Sequence, residues 1–279
     1  MKKLTMKFMV FFTLLIVFIF GGCQEVSDTT VPIVVVQSGD NSTSEGSIII
    51  GDRTFEGLNG IMDGFVTLSG LKSASLGTCP SITLSAITVV PLVITLDWGT
   101  GCTSAEDGIT RSGKINISLS ALMNVVNSVA TFTFRDFVSD GNKITGLHRI
   151  TYKGPNPGNN WPRFNVFTEA KIEFPDKKFI TYRTEYIRLQ SEGSSTATTV
   201  DDIWRIEGSA TGKSKEGVAW TASYPSALVK KGSCKWFSSG TVLVTPQGDL
   251  PRTINFGDGT CDNIATLKIG DKTTTIELK

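Results

Sequence analysis

Apolar and polar residues alternate with a period of two through most of this chain. In Ala130–Val138, for example, Phe132, Phe134 and Val138 share one parity, and threonines and an arginine occupy the other. The dipeptide Asp140-Gly141 follows, and it favours a two-residue hairpin turn. The same alternation recurs further along, with apolar positions at Ile144, Ile150, Tyr152, Phe164, Val166, Ile172, Ile180, Tyr182, Trp204, Ile206, Trp220 and Tyr224. Such repetition is typical of antiparallel strands that bury one face.

The pattern from about Ile48 to the end predicts an all-β body, an antiparallel meander of about ten to fourteen strands. Its apolar face must be covered, so the meander either curls into a barrel or half-barrel or folds into two packed sheets. One short segment, Ser120–Ser128, is a helical candidate.

The N-terminal residues have the composition of an export signal. Three lysines precede the apolar run Phe8–Phe20, which ends at Gly21-Gly22-Cys23. The run is shorter than the roughly 20 residues of a membrane span. Two small residues before a cysteine resemble the lipobox of bacterial lipoproteins, in which the cysteine thiol is acylated. We therefore expect a signal peptide over residues 1–22 and a lipid on Cys23 that anchors the protein to a membrane.

A polar segment follows the predicted signal. Residues 24–47 are rich in Ser, Thr, Asp and Gly, so residues 23–47 are predicted to form a flexible tether and residues 48–279 the folded body. Alternatively, the β-branched stretch Pro32–Val36 forms a first strand. The body has the length of one large all-β domain or two small ones.

Charge and histidine content narrow the classes of function. The chain has 27 Lys+Arg against 26 Asp+Glu, which gives no electrostatic reason to expect a nucleic-acid partner. Its one histidine, His148, falls on the apolar parity of its strand. This position favours a buried, hydrogen-bonded histidine over a general base. Without a second histidine or a Cys-x-x-Cys pair, no metal site or cofactor is expected.

Two segments of the chain look alike. Leu96–Cys102 reads LDWGTGC and Ile254–Cys261 reads INFGDGTC, and an earlier cysteine precedes each. Asp97 in the first matches Asn255 in the second. A catalytic carboxylate could not act as an asparagine, whereas both side chains bond to their own backbone at turns. Asp97 is therefore interpreted as a structural turn residue.

The spacing of the four remaining cysteines predicts two disulfides. Paired positions of an antiparallel hairpin sum to a constant, so the turn lies at the midpoint of the pair. For Cys79 and Cys102 the midpoint is next to Pro91, and for Cys234 and Cys261 it lies between Gln247 and Gly248. Proline and glycine favour turns, so we predict the pairs Cys79–Cys102 and Cys234–Cys261. The alternative is four free thiols, which are seldom found in exported proteins.

Few other residues suggest a ligand site. Trp161 lies in an irregular stretch, PNPGNNWPRF, and is the best candidate for an exposed aromatic on a binding surface. Asp258, Asp262 and Asn263 carry calcium-type oxygens, but their spacing fits no standard calcium loop. The segment GSATGKS at Gly208–Ser214 lacks the first glycine of a phosphate-binding loop, and no helix is predicted after it.

Three stretches carry a family resemblance. They are DWGTGCTSAEDGITRSGKI (Asp97–Ile115), WRIEGSATGKSKEGVAWTA (Trp204–Ala222) and INFGDGTCDNIATLKI (Ile254–Ile269). Together they resemble uncharacterised lipoproteins common in Bacteroidota. The resemblance implies an outer-membrane lipoprotein that faces either the periplasm or the outside. It carries no known activity, and so no functional residue.

The sequence favours a non-enzymatic envelope lipoprotein with a binding or scaffolding role. Its expected partners are the membrane, reached through the lipid on Cys23, and an envelope protein or a glycan. One alternative is a carrier of hydrophobic ligands, which requires a large apolar cavity; a face filled by Phe132, Phe134, Trp204 and Trp220 would exclude it. The other is a glycan-acting enzyme, which requires carboxylates that converge in one cleft.

Overall fold

A computed structural model describes residues 43–67, 70–71, 79–85, 91–104, 108–196 and 198–278. The predicted signal peptide, Cys23 and the tether up to residue 42 lie outside these residues. Contacts divide the chain into two units, Met1–Val31 and Pro32–Lys279, and all the described residues belong to the second.

The described residues form one helix and sixteen strands. The helix, α1, spans Ser44–Phe65. The strands are β1 (Val66–Thr67), β2 (Gly70–Leu71), β3 (Ser81–Leu84), β4 (Leu92–Asp97), β5 (Cys102–Thr103), β6 (Thr110–Leu119), β7 (Val129–Ser139), β8 (Asn142–Pro155), β9 (Pro162–Glu173), β10 (Phe179–Glu192), β11 (Ile203–Lys213), β12 (Ala219–Lys231), β13 (Phe237–Pro246), β14 (Arg252–Asp258), β15 (Ile264–Ile269) and β16 (Lys272–Glu277).

The strands form an antiparallel meander, as the alternating pattern predicts. One sheet of fourteen strands runs in the order β16-β15-β14-β13-β12-β11-β10-β9-β8-β7-β6-β4-β3, with β5 also paired to β6. The short strands β1 and β2 form a separate ribbon. Within the described part of the chain, β3 and β16 are the two edges, so the sheet is open and the all-β prediction is confirmed.

The predicted strand pattern is wrong at its start. The alternating pattern predicts strands from about Ile48 and a tether that includes Ser44–Ser47, but both segments belong to α1. Thr43 caps this helix, because its Oγ1 accepts a hydrogen bond from the Gly46 N–H at 3.1 Å. Ile48, Phe55, Leu58 and Met62 recur at helical spacing and are all buried.

The sheet curls around α1. The Arg53 guanidinium lies 3.6 Å from Asp140, in the β7–β8 turn, and 5.1 Å from the Trp236 ring, just before β13. In a flat sheet, the five spacings between β8 and β13 would separate these two residues by about 24 Å. A single side chain reaches both because the sheet bends around the helix, which therefore fills the concave face.

A bulge changes which side chains of β7 point inward from those that the alternating pattern predicts. Gly113 of β6 has a φ of 78°, and a Cβ there would lie 2.3 Å from the Asp136 carbonyl oxygen. Asp136 itself has a φ of 46°. This irregularity shifts the parity of the strand, so that Phe137, and not Val138, is fully buried.

The turns confirm one local prediction and correct another. Asp140 and Gly141 both have positive φ, which is typical of the two-residue hairpin turn that the sequence predicts. Ser120–Ser128 is not helical; it forms a bend and turns, closed by Val125 N–H to Leu122 O at 3.0 Å.

Candidate functional site

One face of α1 is polar and yet buried. Glu45, Asp52, Glu56, Asn59 and Asp63 follow one another at intervals of seven, four, three and four residues, which places them along one side of a helix. Burying such groups is costly unless partners satisfy them. The sheet supplies these partners from β8, β10, β12 and β14.

Asp52 binds two tyrosines. Tyr182 of β10 donates a hydrogen bond to Asp52 Oδ1 at 2.5 Å, and Tyr224 of β12 donates another at 3.3 Å. Burial raises the pKa of Asp52 to about 7, and the nearby Glu56 carboxylate adds to the rise. Burial also raises the pKa of both tyrosines well above 10.0. Asp52 therefore holds its proton up to near neutral pH.

The next turn of α1, which carries Glu56 and Asn59, binds His148 of β8. Tyr186 and Asn59 Nδ2 both donate to Glu56 Oε1, at 2.5 and 2.6 Å. His148 Nε2 donates to Asn59 Oδ1 at 3.0 Å, and its Nδ1 accepts from Thr168 Oγ1 at 2.8 Å. The direction of these two bonds follows from the amide and hydroxyl partners.

His148 is therefore a structural residue, as the sequence predicts. Its side chain is 0% exposed, and both ring nitrogens have partners. Burial, assisted by the positive charge of Arg188, lowers the pKa of His148 to about 3. The imidazole stays neutral over the physiological range.

Arg188 of β10 closes the C-terminal end of this polar face. Its Nη1 donates to Asp63 Oδ1 at 2.9 Å, and its Nη2 lies 2.7 Å from Asp63 Oδ2. Its Nε lies 3.6 Å from Glu56 Oε2, and its Cζ lies 3.6 Å from the centre of the Trp204 ring. The two carboxylates raise the pKa of Arg188 against the effect of burial. A buried guanidinium is thus held between two carboxylates and an aromatic face.

A cavity of about 570 Å³ opens beside this arginine. We call it the disulfide-flanked cavity, because a cysteine of each disulfide lines it. Its wall is built by α1, by the β3–β6 edge and by the segments that follow β10 and β12. Its buried or half-buried charged residues are Arg53, Glu56, Asp63, Arg111, Arg188, Asp202 and Lys230. Exposed lining residues mark its mouth, among them Gly60, Thr103, Gly232, Ser233 and Lys235.

Both predicted disulfides form and border the cavity. Cys79 pairs with Cys102 at a Cα separation of 6.0 Å, and Cys234 pairs with Cys261 at 5.3 Å. Cys79 and Cys234 line the cavity. The second hairpin turns at Gln247 and Gly248, as the midpoint predicts. The two disulfides therefore connect the wall of this cavity to Cys102 at the start of β5 and to Cys261 between β14 and β15.

The repeated motif has the predicted turn chemistry. Asp97 Oδ1 accepts from the Gly99 N–H at 2.8 Å, and Asn255 Oδ1 accepts from the Gly257 N–H at 2.9 Å. Asp97 also pairs with Lys114 at 2.6 Å, and this lysine is the first cause that lowers the pKa of Asp97. Both side chains close turns, and neither lines the cavity.

Trp161, the predicted aromatic of a binding surface, is partly exposed, and its role in binding stays a prediction. It is half-buried between β8 and β9, with the Arg205 guanidinium 5.8 Å from its ring centre, and it does not line the cavity. Asp258 and Asp262 accept turn hydrogen bonds from Thr260 and Ile264. Across the described ranges, no group of three or more His, Cys, Asp or Glu side chains is arranged to hold a metal ion.

Sequence reasoning missed the cavity because its residues come from α1 and from distant strands. The available signal was the helical spacing of the acidic and amide residues between Glu45 and Asp63. The described helix, α1, lacks the apolar length to cross a membrane. Comparison with protein-family models, with curated proteins and with solved structures finds no match to this chain.

Proposed function

We propose that this chain is a lipid-anchored protein of the cell envelope whose body binds a small polar molecule, without transforming it, in the disulfide-flanked cavity. The cavity itself carries the proposal. Its volume of about 570 Å³ falls in the roughly 300–1,000 Å³ range of small-molecule sites. Its charged wall is held by a buried helix and two disulfides, and such preorganisation lowers the cost of binding.

Cysteine use supports the lipid anchor. Cys79, Cys102, Cys234 and Cys261 are all consumed by disulfides, so Cys23 is left for acylation. The Gly21-Gly22-Cys23 junction provides the site. The resemblance to Bacteroidota lipoproteins extends the proposal to the outer membrane, facing the periplasm or the outside.

We expect Cys23→Ser to abolish acylation without changing the fold of the body. Cells that express the full chain would be fed an alkyne fatty acid, and the label on the protein would be detected after coupling to a fluorophore. The wild type should be labelled and should remain with the membranes, whereas Cys23→Ser should be unlabelled. A labelled Cys23→Ser protein would contradict the anchor.

The packing of the concave face supports a polar ligand over a hydrophobic one. Helix α1 fills this face, and Phe132, Trp204 and Trp220 are buried beneath it. Phe134 packs against the same core. The disulfide-flanked cavity carries charged groups beside its apolar lining residues, and a lipid chain would have to desolvate them.

The state of the wall carboxylates supports binding over catalysis. Glu56 and Asp63 both pair with Arg188, and Asp202 accepts a hydrogen bond from Gln190 at 2.9 Å. A general acid or base must be able to exchange its proton with a substrate. These three carboxylates instead hold the cavity wall together.

We expect Gly60→Trp to block the cavity. Gly60 lies at the mouth, and a Cβ there would meet no atom within 4 Å, so the helix tolerates the indole. The full-length protein in detergent would be screened by saturation-transfer NMR against a library of sugars, polar acids and fatty acids. We expect polar compounds that bind the wild type and not Gly60→Trp. If every compound that binds does so equally to both proteins, the cavity is not the binding site.

A further inference from the structure

Three hairpins expose a large apolar side chain at one end of the sheet. Phe179 follows the β9–β10 turn, and Val218 and Leu250 lie in the β11–β12 and β13–β14 turns; they are 44%, 39% and 56% exposed. The register of β9 to β14 places these three turns next to one another at the same end of their strands. We call Phe179, Val218 and Leu250 the apolar rim.

Ion pairs join the first two of these turns. Lys178 lies 2.9 Å from Glu216 of the next turn, and Lys215 lies 2.7 Å from Asp176. Since these lysines already have carboxylate partners, the exposed apolar side chains, and not a basic patch, define what this end of the sheet can bind.

The chain enters the folded body beside Leu250, and Arg252 joins the two. Its Nη1 donates to the Leu250 carbonyl oxygen at 2.9 Å, and its Nε lies 2.8 Å from Oε2 of Glu45, in the first turn of α1. Thr43 caps the same end of this helix. The most exposed residue of the apolar rim is therefore one arginine side chain away from the point at which the N-terminal segment joins the body.

The proposed lipid anchor keeps this end of the body close to a bilayer. From Cys23 to Thr43 the chain spans at most about 70 Å, even when fully extended. The opposite end of the sheet is separated from the entry point by the length of α1, about 33 Å, so the rim is the end that reaches the bilayer with the least extension. Once the lipid is inserted, contact of the rim with the same bilayer is intramolecular, and a few apolar side chains suffice for it.

We propose that the apolar rim lies against the bilayer that holds the lipid of Cys23, with Leu250 at the boundary between head groups and acyl chains. This inference rests on the lipid anchor of the proposed function and is independent of the cavity. It gives the body a fixed orientation. The β12–β13 loop, which carries Gly232, Ser233 and Lys235 of the cavity mouth, is at the opposite end of the strands and faces away from the membrane.

A tryptophan in place of Leu250 reports the contact directly. Acylated Leu250→Trp protein, purified from cells, would be reconstituted into phosphatidylcholine vesicles with or without brominated acyl chains, and the wild-type emission would be subtracted. We expect the brominated chains to quench most of the emission that Leu250→Trp adds. Val125→Trp is the matched control, because Val125 is 51% exposed in the β6–β7 loop at the opposite end of the strands. Its added emission should be retained.

Substitutions at the other two residues test whether the rim acts as a unit. In the Leu250→Trp protein, Phe179→Asp together with Val218→Asp should abolish most of the quenching, since a charged side chain is costly to bury in lipid. Val125→Asp together with Val126→Asp, on a similarly exposed apolar loop, should leave the quenching unchanged. The circular dichroism spectrum and melting temperature of each variant would confirm that it is folded.

The outcomes separate this inference from the anchor on which it rests. Protein that carries the fatty-acid label and floats with the vesicles, but shows no quenching of Leu250→Trp, overturns the inference and leaves the anchor in place. Equal quenching of Leu250→Trp and Val125→Trp also overturns it, because the body would then have no fixed orientation. A wild-type dimer that Leu250→Asp dissociates, without quenching in vesicles, would assign the rim to a second copy of the chain instead. An unlabelled wild type would overturn both the anchor and the inference.

Discussion

Replacing Gly51 by alanine should destabilise the full-length protein by about 3 kcal/mol or more. A Cβ at this position would lie 2.2–2.7 Å from three atoms of the Tyr182 ring. The Tyr182 ring cannot move away, because its hydroxyl bonds to Asp52 and it stacks on the Phe55 ring, with 5.6 Å between the two ring centroids. Overpacking of a fixed core typically costs about 1–3 kcal/mol, and here the hydrogen bond would be lost as well. Urea unfolding followed by circular dichroism measures the change.

Gly60 provides the matched control in the same helix. A Cβ there meets nothing within 4 Å, so Gly60→Ala should stabilise the protein by up to about 1 kcal/mol through helix propensity. The clash with Tyr182 can be tested by a double-mutant cycle. Gly51→Ala should cost far less in a Tyr182→Leu background. An equal cost in both backgrounds would show that the ring is not the cause.

The second large effect concerns the pH dependence of the free energy of unfolding. Asp52 and His148 contribute to it with opposite signs, and in the wild type the two contributions cancel. The pKa of Asp52 is raised from 3.8 to about 7, so the folded state keeps a proton that the unfolded state loses, and stability falls as pH rises through that window. The pKa of His148 is lowered from 6.5 to about 3, so the unfolded state binds the extra proton, and stability rises with pH. Between about pH 4 and 6.5 the two contributions offset each other.

Replacing either side chain should make the pH dependence contributed by the other measurable. Relative to the wild type, Asp52→Asn should gain stability as pH rises from 4 to 6, since only His148 remains. His148→Gln should lose stability over the same interval. Each slope should approach 1.36 kcal/mol per pH unit, or roughly 3 kcal/mol in all. The free energy of unfolding in urea at pH 4, 5 and 6 measures both.

Subtracting the wild-type curve cancels the titration of all groups that the proteins share. The two difference curves should therefore have opposite signs of slope, whatever the surface carboxylates do. Difference curves that are flat between pH 4 and 6 would mean that the native state does not hold Asp52 protonated and His148 neutral.

The strands were predictable because each carries its own local signal. Ile144, His148, Ile150 and Tyr152 of β8 alternate with polar residues and are all buried. The disulfide pairs were predictable for a related reason: each pair flanks a local hairpin, and the turn chemistry at Gly248 is local. The pairing of Ser81 with Asp97 centres the first hairpin on position 89 and not next to Pro91, among residues 86–90, which lie outside the described residues. The inward position of Phe137 was not predictable, because the Gly113 bulge that sets it lies on the neighbouring strand.

Helix α1 was missed because its local signals favour other structures. Ile48–Ile50 is a run of β-branched residues, and Gly51, Gly57 and Gly60 each lower helix propensity. Packing against the sheet overrides these preferences. The glycine at 51 is itself a product of that packing, since Tyr182 leaves no room for a Cβ.

The cavity was beyond sequence reasoning because its parts meet only in the folded chain. Glu56 is in α1, Arg188 in β10 and Lys230 in β12. None belongs to a local motif, and the ion pair between Glu56 and Arg188 forms only when β10 packs against α1.

The order of synthesis gives the acidic face of α1 a second consequence. The helix segment emerges from the ribosome before every strand that covers it, and the last of its partners, Arg252 of β14, lies near the C-terminus and binds Glu45 at 2.8 Å. Before β14 has been synthesised, the carboxylates at 45, 52, 56 and 63 keep the α1 segment soluble. A prematurely terminated chain that lacks β14 therefore leaves Glu45, in the first turn of α1, without the counter-charge of Arg252.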